Sequence, residues 1–167
     1  NMKKNFFKIK ENLKAESVNF FSKTFQDFKS EDEKYDYILT YNVINHLDEK
    51  ASKDLKNIEN KEIFEKIFKK FFRLLKPSGK ILVADCTNKN FYDDLNLTNP
   101  FAKSINWEIH QDPSVWIEML EAQGFKIASL KWSTFNSLGV IGRYLFENKL
   151  AAYLTFSHFY FWMEKEQ

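Results

Sequence analysis

Two periods of apolar and polar residues run along this chain, and the change from one to the other marks its central unit. Tyr37 to Tyr41 is a mostly apolar run that meets polar residues at Asn42 and Asn45, the pattern of a strand. Further on, Ile63, Phe64, Ile67, Phe68, Phe71, Phe72, Leu74 and Leu75 recur with a helical period and give a wide buried face. That helix is expected to stop at KPSG, where Pro77 cannot continue it and Gly79 can take a positive φ. KILVAD (80–85) is then a continuous apolar run of the kind buried on both faces of a parallel sheet. Strand, long helix and buried strand predict a βαβ unit with a right-handed crossover.

The flanking segments read less sharply. Residues 3–16 are basic and amphipathic, with Phe6, Phe7, Ile9 and Leu13 available to pack, and predict a helix. VNFF (18–21) predicts a short strand, TFQDF a loop, and the charged stretch 48–61 a solvated helix and loop. Residues 88–112 are too long and irregular for a simple connection, and such excursions are functional or disordered. Their aromatic residues Phe91, Tyr92, Phe101 and Trp107 either floor a pocket or cover the sheet edge. Asp112 and Pro113 make a helix start, and Val115, Trp116, Met119 and Leu120 face inward as far as the stop at Gly124. KIASLKW alternates as a strand, SLGVIGRYLFEN predicts a helix, and AAYLTFSHFYFWMEK is rich in aromatic strand formers.

Composition narrows the class of protein. A chain of 167 residues predicts a single domain able to bury a core. With 25 basic against 23 acidic residues, nothing in the balance calls for nucleic acid or a membrane surface. Cys86 stands alone, which excludes an intrachain disulfide and suits a reducing cytoplasm; at a strand end it reads as an inert core thiol before a nucleophile. A soluble cytoplasmic protein is expected, and Asn1 ahead of Met2 reads as a residue left by an expression vector. There is no zinc-ligand spacing and no nucleophile elbow.

YDYILTYNVINHL, then FRLLKPSGKILVAD, then WIEMLEAQGFKI resembles, in order and spacing, the central and C-terminal part of a class I S-adenosylmethionine-dependent methyltransferase. The resemblance covers roughly residues 15–132. It implies an α/β fold, a Rossmann-like mostly parallel sheet with flanking helices and an antiparallel C-terminal strand pair. It also implies that the first two strands of the family are missing. The glycine-rich cofactor loop is absent, because the four glycines are 79, 124, 139 and 142. The missing strands would form the middle of the sheet and its nucleotide crevice.

On that resemblance the cofactor is S-adenosyl-L-methionine. Thr24 takes the place of the acidic residue that often binds adenine, with Gln26 beside it, while Tyr41, Asn42 and Val43 line the methionine end. Asp85, Trp107 and Glu108 face the acceptor, although Asp85 also reads as a turn former before Thr87 and Asn88. His46 and His110 are the candidate bases, since imidazole titrates near neutrality and can take a proton from a hydroxyl. His46 also reads as a helix-start residue, and His158 as a core or edge histidine. The reaction implied is methyl transfer to oxygen or nitrogen of a small acceptor, a sugar or glycan precursor being one class. The alternative is a degenerate relative that binds or scaffolds and holds no cofactor. Weak or undetectable cofactor binding by the chain alone is expected, and open sheet edges predict a homodimer.

Overall fold

The computed structural model describes residues 10–11, 17–133 and 139–166. The chain divides into two compact units, Asn1–Ser30 and Glu31–Gln167. In the first unit, residues 10 and 11 are helical and the rest of the helix expected over 3–16 lies outside the described residues. VNFF is not a strand. Val18 and Phe21 are exposed, and an apolar run with no ladder to join gains nothing from extended pairing. What order this stretch shows is local: the Phe21 and Phe28 rings meet edge to face, and the Phe28 amide donates to the Thr24 carbonyl.

The second unit is a four-stranded mixed sheet with helices. Its strands are β1 (Tyr35–Tyr41), β2 (Leu75–Cys86), β3 (Phe125–Ser133) and β4 (His158–Lys165), in the order β1-β2-β4-β3. The helices are α1 (Glu49–Ser52), α2 (Ile58–Leu74), α3 (Phe91–Asp94), α4 (Pro113–Glu121), α5 (Gly139–Phe146) and α6 (Lys149–Tyr153). YDYILT and KILVAD lie side by side and run the same way, with Ile38 opposite Ile81 and Thr40 opposite Val83. The other two pairings, β2 with β4 and β3 with β4, are antiparallel. The sheet is therefore not mostly parallel: one of its three pairings is parallel and two are antiparallel.

Local chemistry explains the long crossover. Asn57 caps α2 by accepting from the Glu59 and Asn60 amides, and Arg73 sits in its last turn, where a cation suits the helix dipole. Phe64, Ile67, Phe68, Phe71 and Leu74 are buried along one stripe. The helix ends at Leu74 because Lys76 precedes a proline and must be extended. Lys76 to Gly79 then loop out of the ladder between the pairs Tyr35–Leu75 and Tyr37–Lys80. Ser78, rather than Gly79, takes the positive φ, at 60°. Gly79 is needed for a different reason: a Cβ there would lie 2.8 Å from the Lys76 carbonyl oxygen.

The core lies between one face of the sheet and helices α2 and α4. Ile81 and Val83 of β2 and Phe159, Phe161 and Met163 of β4 are fully buried. Across from them Trp116 packs against Phe64, ring centroids 4.9 Å apart, and against Phe68 at 5.9 Å. On the opposite face the strands stay open: Tyr37, Leu39 and Tyr41 of edge strand β1 are 62%, 68% and 68% exposed, and Trp162 of β4 is 37% exposed. The aromatic tail 151–165 is not one strand. Asn148 caps α6 by accepting from the Ala151 amide, and Ser157, at φ 55°, breaks the chain before β4 starts.

Gly124 ends the turn after α4 at φ 96°, and a Cβ there would meet the Phe72 ring at 3.0 Å. Gly124→Ala is expected to cost about 1–3 kcal/mol through backbone strain alone. Urea unfolding would show it as a lowered midpoint with an unchanged slope.

Candidate functional site

Chemistry-bearing side chains gather where β1 and β2 end. β2 delivers Asp85, which is buried beside Val83 and opposite Phe159. Past β1 the backbone turns at Asn42 with φ 50°, its amide donating to the Ala84 carbonyl at 2.7 Å, and enters a short 3-10 helix, Ile44–His46. A second 3-10 helix, Trp107–Ile109, brings His110 in from the long connection. Ser52 donates to the Ile109 carbonyl, the Gln111 amide donates to Asn45 Oδ1, and the Gln111 side chain donates to the Ser52 carbonyl. These bonds tie that loop down onto the strand ends.

Two imidazoles meet there, edge to face, with centroids 5.9 Å apart. His46 is half-exposed, and its Nδ1–H donates to Glu49 Oε1 at 2.7 Å. A carboxylate can only accept, so that bond leaves His46 Nε2 as the nitrogen with a free lone pair. His110 is buried, and its Nδ1–H donates to the Asn106 carbonyl at 2.8 Å. Its Nε2 therefore faces Asp85 Oδ1, 3.6 Å away. Burial pushes the His110 pKa down, the Asn106 bond and the Asp85 charge oppose it, His46 adds to it, and the net direction is down. Asp85 Oδ1 accepts from the Cys86 amide, while Asp85 Oδ2 and Asn45 Nδ2 are buried with no hydrogen-bond partner. Burial, and then the Asp85 charge, push the Cys86 thiol up to about 12, so it stays protonated at neutral pH and is no nucleophile.

His46, His110 and Asp85 thus stand together, and Trp107 joins them with its ring 6.1 Å from that of His110. Tyr41, Asn42 and Val43 lie at the adjoining end of β1 and are exposed. Glu108 is held at the surface instead, pairing with Lys53 at 3.1 Å on an open cleft of about 540 Å³ that Trp107 and Gln111 also line. Thr24 and Gln26 belong to the other compact unit, where Thr24 Oγ1 donates to Asp27 Oδ2 in a local turn. His158 lies on the other side of β2 from Asp85, opposite Cys86, hydrogen-bonded through Nδ1 to Ser133 Oγ at 2.7 Å with its Nε2 buried and unpartnered. Sequence reasoning missed Glu49, Asn45 and Asn106. The spacing of Glu49 from His46, three residues on, was a readable signal for a carboxylate–imidazole pair.

No family profile matches the sequence, and no curated protein matches it. Solved structures do match in fold. A SAM-dependent methyltransferase from Methanosarcina mazei superposes with a TM-score of 0.53 at 14% identity, over 86% of this chain and 65% of that one. A SAM-dependent methyltransferase from Thermotoga maritima gives 0.54 at 15% identity, over 95% and 70%. The [4+2]-cyclase SpnF gives 0.55 at 12% identity, over 95% and 61%. The fold is that of class I S-adenosylmethionine-dependent methyltransferases, in a mixed four-stranded form. The chain spans 70%, 65% and 65% of the lengths of the first three methyltransferase structures that it matches. Identities this low, and a cyclase among the matches, fix architecture and leave chemistry to the site.

The cofactor of that class needs a cradle for methionine and another for adenosine. Asn42 and Val43 are open at the end of β1 beside His46. All four glycines follow β1 in sequence, and β1 is an edge strand among the described residues. Among the described residues no cluster of His, Cys, Asp or Glu could hold a metal ion, and no helix is long and apolar enough to cross a membrane.

Proposed function

We propose that this chain carries the acceptor side of an S-adenosylmethionine-dependent methyltransferase acting on oxygen or nitrogen of a small molecule. One observation carries the reading. A half-exposed imidazole, oriented by a carboxylate, stands at the strand ends of a methyltransferase-like fold. S-adenosylmethionine, when bound, supplies a methyl group on a sulfonium that is already a good leaving group. The rest falls to alignment and proton removal by the protein.

In this reading His46 Nε2 accepts the proton of the acceptor hydroxyl, and Glu49 steadies the imidazolium that results. His110 and Asp85 are enclosed and act as positioning residues, holding the edge on which the His46 ring rests. Asn42 and Val43 face the methionine end of the cofactor. With no glycine ahead of β1, cofactor binding by this chain alone is expected to be weak. The rate of S-adenosylhomocysteine formation is expected to rise in proportion to S-adenosylmethionine well into the millimolar range. His46→Gln is expected to lower the rate on hydroxyl acceptors by about 10²–10⁴. Calorimetry showing micromolar cofactor affinity would contradict the weak-binding part of the reading.

A second reading, a methyltransferase-like binding or scaffolding protein, is favoured by the exposed row Tyr37, Leu39 and Tyr41 on an edge strand. A complete absence of S-adenosylhomocysteine at every cofactor concentration, with phenol and amine acceptors alike, would select it.

A further inference from the structure

We propose that the cleft between the end of β3 and α6 binds a small carboxylate with an apolar or aromatic body, and that Lys149 takes the carboxylate. As the acceptor pocket this rests on the methyl-transfer reading; as a binding site it stands alone. The cleft measures about 400 Å³ and is lined by Thr87, Lys89, Asp94, Trp132, Leu150 and Tyr153 together with Lys149. That volume is in the range of small-ligand sites.

Of its two ammonium groups one is already paired, and Asp94 keeps its charge behind a hydrogen bond from a neutral phenol. Lys89 pairs with Asp112 at 2.9 Å, and Tyr153 donates to Asp94 Oδ2 at 2.8 Å. The Lys149 ammonium lies 5.7 Å from the centroid of the Trp132 ring, and among the described residues no carboxylate comes within ion-pair distance of it. An ammonium without a carboxylate partner over an aromatic wall favours an anion whose body can rest on that wall. Trp132, Leu150 and Tyr153 offer apolar surface and few hydrogen-bonding groups, which would leave the hydroxyls of a sugar unpaired. The carboxylate therefore fits better than the sugar that the fold resemblance alone suggested.

The cleft shares its framework with the imidazole cluster. Thr87 follows Asp85 by two residues, and Asp112, which fixes Lys89, follows His110 by two. Trp132, Phe159 and Asp85 lie in one row across the sheet. A ligand seated against Trp132 is thus on the same side of the sheet as Asp85.

The test uses the whole chain, 3-phenylpropionate and its neutral amide, with no S-adenosylmethionine present. Ligand-observed NMR and calorimetry are expected to show binding of the acid and about tenfold weaker binding of the amide. Lys149→Met is expected to erase that difference. Leu150→Asp, which puts a negative charge into the apolar wall, is expected to weaken both ligands and the acid by more. Both substitutions are at the surface, and an unchanged unfolding midpoint confirms an intact fold. Equal binding of acid and amide, a Lys149→Met variant that still prefers the acid, or no binding of the acid at 10 mM would each overturn the proposal. Failure of methyl transfer would leave these binding results untouched, so the two readings fail separately.

Discussion

Trp116→Ala is expected to be the most damaging single substitution in this chain, costing about 3–5 kcal/mol of stability. Trp116 is fully buried on α4 and is the point where α4 meets α2, with Phe64 and Phe68 on two sides of its ring. Truncation removes the transfer energy of a large ring and leaves a void that two helices and a sheet cannot close without repacking. The indole Nε1 is buried with no hydrogen-bond partner, so part of what Trp116 contributes is offset by an orphaned donor. Trp116→Phe removes that donor and keeps most of the ring, and is expected to cost far less than the alanine variant. Urea unfolding of the two variants checks both statements. A cost below about 1 kcal/mol for Trp116→Ala would mean that α4 does not anchor the core.

The parts of this fold that were legible in the sequence are those with their own local signal. The stripe Phe64 to Leu74, and KILVAD beside YDYILT, state their structure through period and burial, whereas the start of α2 at Ile58, capped by Asn57, fell in a stretch read as solvated helix and loop. Asp112 before Pro113 likewise marks the start of α4, where the Asp112 side chain accepts from the Ser114 amide. VNFF failed because a strand needs a neighbour, and the sequence of the strand does not say whether one exists. The split of the aromatic tail was readable in part: Asn148 ahead of Lys-Leu-Ala-Ala is a capped helix start that outweighed the aromatic content of the segment. At the candidate site, His46 and Asp85 were read from their position at strand ends, and His110 from the irregular connection ahead of Asp112 and Pro113. The enclosure of His110 was not readable, because it depends on Asn45, Ser52 and Gln111 meeting across more than fifty residues of chain. No local pattern marked Lys149 and Trp132, which come together only when β3 and α6 pack.

Stability is expected to fall as pH drops from 7 to 5.5, with His110 and His158 as the source. Burial is the largest cause in both, and both are held below the ordinary histidine range. Around His110 the groups in play are Asp85, His46 and the Asn106 carbonyl; around His158 they are Asp85, Ser133, the Tyr41 ring and Cys86. Asp85 raises both without overcoming burial. A histidine kept neutral in the folded state contributes stability that is complete above the unfolded pKa near 6.5. Below it the unfolded chain takes up protons that the folded chain resists, so stability is lost toward the folded pKa. Asp112 acts in a different window. Burial raises its pKa, but the bonds from Lys89 and Ser114 outweigh this, and the stability that they bring is lost only below about pH 4. Urea midpoints measured between pH 7.5 and 5 separate the two, and a His110→Gln, His158→Gln double variant is expected to flatten the upper limb. A wild-type curve already flat between pH 7 and 5.5 would mean that neither imidazole is held neutral by the fold, and that the cluster at the end of β2 is open to water.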